Sequence, residues 1–330
     1  MNSTVRRCAW PVGVVSSLVL VIVMAACSSP TPIPPFFEPF DRIPIHTVHV
    51  DGQLMAYLDV GEGQPVILIH GFGGSMWQWE HQQRPLSAEF RLITPDLVGS
   101  GLSAKPEIDY HPEQMLEYFV GFMDALQIRQ AVLVGNSMGA GLAIGMTLTH
   151  PDRVSNLVLI GGLPANVRER LTSPSIRRAL DTPAPSWVAS FGNWLFGGFM
   201  IESILQEIVH DPALLTPGVI ERSNRNRQRP GMIPPLMTAR DTLPLWETGF
   251  AKRIGEIAHR TLILWGEEDR VFPISVGEEL QRTIKGSALV RIPNAGHIPQ
   301  WERPDLANAA MIEFLRHYGP VPVPRDGGRS

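Results

Sequence analysis

The chain has 330 residues, 44% of them hydrophobic and 18% charged, enough apolar material to bury one large domain or a domain with a substantial insertion. That composition excludes a disordered protein. A formal charge of −4 and a pI near 6.2 leave no basic footprint, so no nucleic-acid partner is expected, while substrate charge stays open.

The first predicted element is an export segment. Arg6 and Arg7 give a positive start, and Val12 to Ala26 is apolar or small apart from Ser16 and Ser17, the pattern of a secretory signal over residues 1–26. The run is shorter than the roughly 20 residues that span a bilayer comfortably, so cleavage is expected over an uncleaved anchor. Ala25-Ala26-Cys27 resembles the lipobox of bacterial lipoproteins, although Met24 stands where a leucine-like residue is usual. The resemblance implies lipidation of Cys27 and attachment to a membrane through that lipid, with plain secretion as the alternative. Cys8 leaves with the signal, so the mature chain has no second cysteine for an internal disulfide. The signal also takes away two arginines and no acid. An acidic domain is thus expected at the cell envelope, held by lipid and not by attraction to anionic headgroups. By the same resemblance, Ser28 in place of an aspartate is compatible with an outer-membrane site.

Residues 27–42 carry too many prolines for a helix or a central strand and read as a semi-rigid tether. Strand-like runs follow at IHTVHV, LMAYLDV, PVILIHG, FRLITPD, AVLVGN, NLVLIGG, RTLILWG and ALVRIPN, and from the third onward helical stretches separate most of them. The later runs are apolar on both faces. That alternation predicts an α/β fold with an antiparallel entry hairpin and a mainly parallel sheet covered by helices on both faces. The core is expected over 43–162 and 259–318. The interval 163–258 is far longer than a βαβ crossover needs and is read as a helical cap insertion, and 319–330 as a flexible tail.

The chemistry-bearing pattern lies after the fifth run. Gly135-Asn136-Ser137-Met138-Gly139 sits between a buried strand and a helix, which fits a nucleophile elbow, where a tight turn lifts the serine above the sheet. A side chain at 135 or 139 would collide with the neighbouring strand or helix. A serine hydroxyl needs a base, and the base an orienting acid. His297, in PNAGHIPQWERP after the last strand-like run, is the candidate base, with a surface loop histidine as the alternative. Asp269, three residues beyond Gly266 in LILWGEEDRVFP, is the candidate acid, with Glu267 and Glu268 expected as solvated loop charges.

With Ser137, Asp269 and His297 in that order, and with His70-Gly71-Phe72-Gly73-Gly74 after the third strand and DLVGSGLS at Asp96 to Ser103, the chain from about Ile43 to Tyr318 resembles the α/β-hydrolase superfamily. The resemblance implies an α/β-hydrolase fold with an eight-stranded sheet. It also implies an oxyanion hole built from the Phe72 and Met138 N–H groups, a structural His70 and a loop-bracing Asp96. A serine at 137 argues against haloalkane dehalogenases and epoxide hydrolases, which by resemblance use aspartate there. Hydrolysis of a carboxylic ester or related acyl bond is the expected reaction.

The cap sequence, QWERPD and Asn136 are also similar to the carbon–carbon bond hydrolases that act on vinylogous diketones from aromatic ring cleavage. Two departures stand against that alternative: Gly73-Gly74-Ser75 replaces a Gly-Pro-Gly loop, and Ile298 replaces a tryptophan after the histidine. A non-catalytic, membrane-tethered binding protein is the third reading. Phe72, Met138 and Trp194 are candidates for the substrate pocket. Arg222, Arg225, Arg227 and Arg229 either bind a substrate carboxylate or form a solvated helix face. No metal or organic cofactor is implied by the His and Cys spacing, and the expected partner is a small ester-like molecule.

Overall fold

The computed structural model describes residues 43–181 and 184–317. The signal segment, Cys27, the tether and the tail from 319 lie outside those residues. Strands β1 (Ile45–Val50) and β2 (Gln53–Val60) form a hairpin whose two-residue turn, Asp51-Gly52, takes positive φ at both positions, 49° and 75°. That geometry matches the twist of the flanking strands. The others are β3 (Pro65–Ile69), β4 (Arg91–Pro95), β5 (Ala131–Asn136), β6 (Val154–Ile160), β7 (Thr261–Gly266) and β8 (Ala288–Ile292). They form one eight-stranded sheet in the order β1-β2-β4-β3-β5-β6-β7-β8, with β2 antiparallel to both neighbours and every later pair parallel. The expected mainly parallel eight-stranded sheet with an antiparallel entry hairpin is the one found.

Alternation along each strand sorts the core into two layers. Ile67, Ile69, Leu133, Leu157, Leu159 and Ile263 face one side, under helices α2 (Pro112–Ala125) and α3 (Met138–Thr149). Val66, Leu68, Val132, Val134, Val158 and Leu264 face the other, against Leu86 of α1 (Gln83–Ser87) and the C-terminal helix. β8 departs from the expectation of a strand apolar on both faces, because Ala288 and Arg291 are exposed. It is a sheet edge, paired with a neighbouring strand on one side only.

Between β6 and β7 lie α4 (Val167–Arg170), α5 (Pro174–Asp181), α6 (Ser186–Ile208), α7 (Pro217–Arg227), α8 (Ile233–Asp241) and α9 (Leu243–Gly249). The chain rejoins the main core well before residue 258: Trp246, Phe250, Ala251, Ile254 and Ile257 are buried in the same layer as α2 and α3. The Trp246 indole donates to the Pro164 carbonyl at 3.2 Å, closing the base of the insertion. After β7 come α10 (Ile274–Thr283), α11 (Pro299–Glu302) and α12 (Pro304–His317).

Strand order reverses at β3, which pairs with β4 on one side and β5 on the other. Crossovers leaving in opposite directions open a crevice at the carboxyl ends of those strands, where open α/β sheets place their ligands.

Candidate active site

Ser137 occupies that crevice at the end of β5. Its backbone sits at φ 54°, ψ −117°, a positive φ for a residue with a side chain, which costs about 1–3 kcal/mol. The neighbouring glycines make this turn possible: a Cβ on Gly135 would stand 2.3 Å from the Gly139 carbonyl oxygen, and one on Gly139 would stand 2.3 Å from that of Ile69. The Ser137 N–H donates to the Ile160 carbonyl at 2.9 Å, tying the elbow to β6.

Asp269 and His297 meet as their sequence order suggests. Asp269 Oδ2 lies 2.9 Å from His297 Nδ1, and both side chains are buried. The other carboxylate oxygen accepts the Val271 and Phe272 N–H groups at 2.7 and 3.0 Å. The aspartate is therefore fixed by its own loop and free to orient the imidazole. A Cβ on Gly161, the residue after β6, would lie 3.1 Å from the His297 ring, and Phe272 packs edge-on against the same ring. Ser137 and His297 are thus both seated on the end of β6, one through Ile160 and the other against Gly161.

Asn136, flagged in the motif without a role, is the fastener. Its Nδ2 donates to the carbonyls of Ile160 and His297, both at 3.1 Å. One buried amide holds the elbow, β6 and the histidine loop in register. Glu268 also braces that loop, since its Oε2 accepts the Ala295 N–H at 3.0 Å. The expectation of a solvated charge holds for Glu267 and fails for Glu268, because the Ala295 N–H needs an acceptor where it turns under β7.

Met138 is the first residue of α3, so its N–H has no intrahelical acceptor and points out of the positive end of the helix. Phe72 follows β3 in the facing loop and is 42% exposed. That loop is held from three directions. Gln78 Oε1 accepts the Gly71 N–H at 2.9 Å, the Asn226 side chain of α7 donates to the Gly73 carbonyl at 3.3 Å, and His70 Nδ1 lies 2.8 Å from the Gly71 carbonyl. His70 Nε2 accepts the Leu97 N–H at 3.1 Å, which leaves its proton on Nδ1. The ring is a neutral strut, and its burial lowers its pKa. Asp96 likewise braces a loop, its two oxygens accepting the N–H groups of Met76 and Leu102.

The cap arginines have protein partners. Arg222 makes a two-point contact with Glu80 at 2.7 and 3.1 Å and lies over the Trp77 ring, Arg225 pairs with Glu221, and Arg227 donates to Asn193 and Asn224. The Glu80–Arg222 latch joins α7 to the turn after the Phe72 loop. Trp194 lies on α6 with 68% of its surface exposed, beside Phe191; so exposed a ring is not enclosed by a pocket. Among the described residues, no three His, Cys, Asp or Glu side chains gather as a metal site.

A profile described as the alpha/beta hydrolase fold matches residues 64–304. The chain belongs to the α/β-hydrolase fold family. Within it, this hydrolase is 31% identical over 289 residues to a Pseudomonas putida enzyme described as 2-hydroxy-6-oxononadienedioate/2-hydroxy-6-oxononatrienedioate hydrolase 1, covering 81% of this chain and 94% of that one. Among solved structures it is similar to the meta-cleavage product hydrolase of Pseudomonas fluorescens IP01, with a TM-score of 0.71 and 30% identity over 83% of this chain and 98% of the other. It is also similar to Est816, an N-acyl homoserine lactone degrading enzyme, with a TM-score of 0.67 and 26% identity over 82% of this chain and 100% of that one. The relatives carry carbon–carbon bond hydrolases to the front of the comparison, where the sequence had led with ester hydrolysis.

One buried acid of this α/β hydrolase could not be placed from sequence. Glu302 of α11 accepts the Gly296 N–H at 2.8 Å with one oxygen and the His210 N–H at 2.6 Å with the other, clamping the His297 loop to the chain leaving α6. Burial pushes its carboxyl from 4.5 up to about 7, against the backbone N–H groups that pull it down. The folded chain therefore binds this proton more tightly than the unfolded chain does. Stability from Glu302 is complete below the unfolded value of 4.5 and is lost as pH rises through about 7. The difference is worth up to about 3 kcal/mol. Denaturant unfolding from about pH 5 to about pH 8 is expected to show a loss of stability in the wild type that Glu302→Gln lacks. Parallel curves for the two proteins would contradict the assignment.

Proposed function

We propose that Ser137, His297 and Asp269 form the catalytic triad of this hydrolase. His297 Nε2 takes the hydroxyl proton as Ser137 Oγ attacks a carbonyl carbon. Asp269 steadies the resulting imidazolium, and the Phe72 and Met138 N–H groups receive the developing oxyanion. The tetrahedral centre collapses to an acyl-enzyme on Ser137, the leaving group takes the proton from His297, and water attacks in the reverse sequence to free the acid.

The bond we assign is the carbon–carbon bond of a ring-fission diketone. The observation that carries this reading is the run of relatives at about 30% identity, which are described as hydrolases of 2-hydroxy-6-oxo dienoates and related compounds. Such a bond breaks only where the departing carbon can hold the electron pair as an enolate, which the conjugated keto acid provides.

A second reading, hydrolysis of an ester or lactone, has its own support. Arg222, Arg225 and Arg227 are engaged with protein partners, so these cations are not held ready for the carboxylate that those diketones bear. Likeness to Est816 points the same way. The exported, lipid-anchored address at Cys27 belongs to this proposal under either reading.

A panel of 2-hydroxy-6-oxo-6-phenylhexa-2,4-dienoate, p-nitrophenyl esters of graded length and an N-acyl homoserine lactone separates the two. Loss of dienoate absorbance at a kcat/KM well above that for the esters supports the first, and turnover of esters or lactone alone supports the second. If nothing is turned over and a fluorophosphonate probe leaves Ser137 unlabelled, both are lost, and a tethered binding protein is the better description.

A further inference from the structure

Helix α6 carries its apolar side outward. Trp187, Phe191, Trp194 and Phe199 keep 73%, 58%, 68% and 78% of their surface exposed. Steps of four and three residues put Trp187, Phe191 and Trp194 on one face of the helix, and Phe199 stands further round. No charged residue occurs between Asp181 and Glu202. The mean hydropathy of the helix reaches 1.2, with 11% of its apolar window buried. A monomeric soluble surface seldom leaves such a contiguous patch in water.

The helix is held to the domain at particular points. Arg227 of α7 donates to the Asn193 carbonyl at 2.8 Å, and its guanidinium lies so close to Gly197 that no Cβ fits there. Toward its C-terminal end the helix is anchored as well, with Leu205 buried and Glu207 accepting the Ser175 N–H at 3.0 Å. The outward face is therefore fixed in place by its own packing.

We propose that this face docks the cap on a lipid bilayer, with α6 lying in the plane of the interface. A transmembrane course does not fit. Glu202 and Glu207 lie within the helix, and Ile208 and His210 at its end are bonded to the His297 loop and Glu302, so both ends return to one domain. An in-plane helix needs an apolar face of this kind, and tryptophan favours the boundary between headgroups and acyl chains.

The chain before the described residues argues for lipid as the occupant. An apolar run from Val12 to Ala26 ends at Cys27, and only about 15 residues separate that cysteine from Ile43, at most roughly 50 Å when extended. That is close to the diameter of a domain of this size, roughly 2.5 times its radius of gyration. A membrane held by the N-terminal segment is within reach of the cap.

The test uses the full-length protein in phosphatidylcholine and phosphatidylglycerol vesicles, with and without brominated acyl chains. Bromine quenches tryptophan only at close range. Wild-type emission is expected to fall on brominated lipid, and Trp187→Phe/Trp194→Phe, which keeps the face apolar, is expected to lose at least half of that quenching. A second variant, Phe191→Ser/Phe199→Ser, retains both tryptophans and is expected to shift their emission to the red as the face lifts from lipid. Far-ultraviolet circular dichroism reports whether each variant is folded.

Equal quenching of wild type and the tryptophan double variant would overturn the proposal. So would unquenched Trp187 and Trp194 accompanied by crosslinking through α6, which would make a second copy the occupant. No turnover is measured, so failure here leaves the assignment of Ser137 untouched.

Discussion

Ser137→Ala is expected to lower kcat by about 10⁴ to 10⁶, leaving only what substrate binding and the Phe72 and Met138 N–H groups supply. The fold should be kept, because alanine fills the same strained turn. Ser137→Gly sharpens the test. It removes the nucleophile and also relieves the positive φ of 54°, so it should be as inactive as the alanine variant but more stable by about 1 kcal/mol. Turnover assays and denaturant melts on the two variants check both parts. Activity within about tenfold of wild type in either variant would remove Ser137 from the mechanism.

The second large effect is expected at Asp269. An asparagine there would keep its oxygen on the Val271 and Phe272 N–H groups, which need an acceptor. Its amide nitrogen would then face His297 Nδ1. Nδ1 must become the acceptor, so the ring proton moves to Nε2, the atom required to take the proton from Ser137. A fall of about 10⁴ in kcat with little change in KM is the expected signature of a correctly placed ring in the wrong tautomer. If KM rises instead while kcat holds, Asp269 serves substrate binding and not the base.

The strands that carry the site were legible because burial on both faces leaves long apolar runs such as AVLVGN and RTLILWG. The elbow was legible for a different reason: two glycines around a serine record a steric requirement that few other contexts impose. What the sequence concealed lies in pairings across long chain separations. Nothing near Glu80 names Arg222 as its partner, and nothing in QWERPD reveals that Glu302 receives N–H groups from two separate loops. Charge spacing in α7 likewise leaves its arginines ambiguous until Glu80, Glu221 and Asn193 are seen opposite them. Trp194 of α6 reads as a pocket candidate in the sequence, yet tertiary structure turns it and its aromatic neighbours to the outside. Asn136 was visible but mute, since its two acceptors belong to β6 and to the loop after β8.

The His297 N–H donates to the Ile208 carbonyl at 2.8 Å, so the backbone of the proposed base hangs from the last residue of the long cap helix. The insertion cannot swing away by more than a bond length without releasing that backbone. Cap position and base position are therefore coupled through a single backbone hydrogen bond, and any displacement of the end of α6 would cost the His297 loop that anchor.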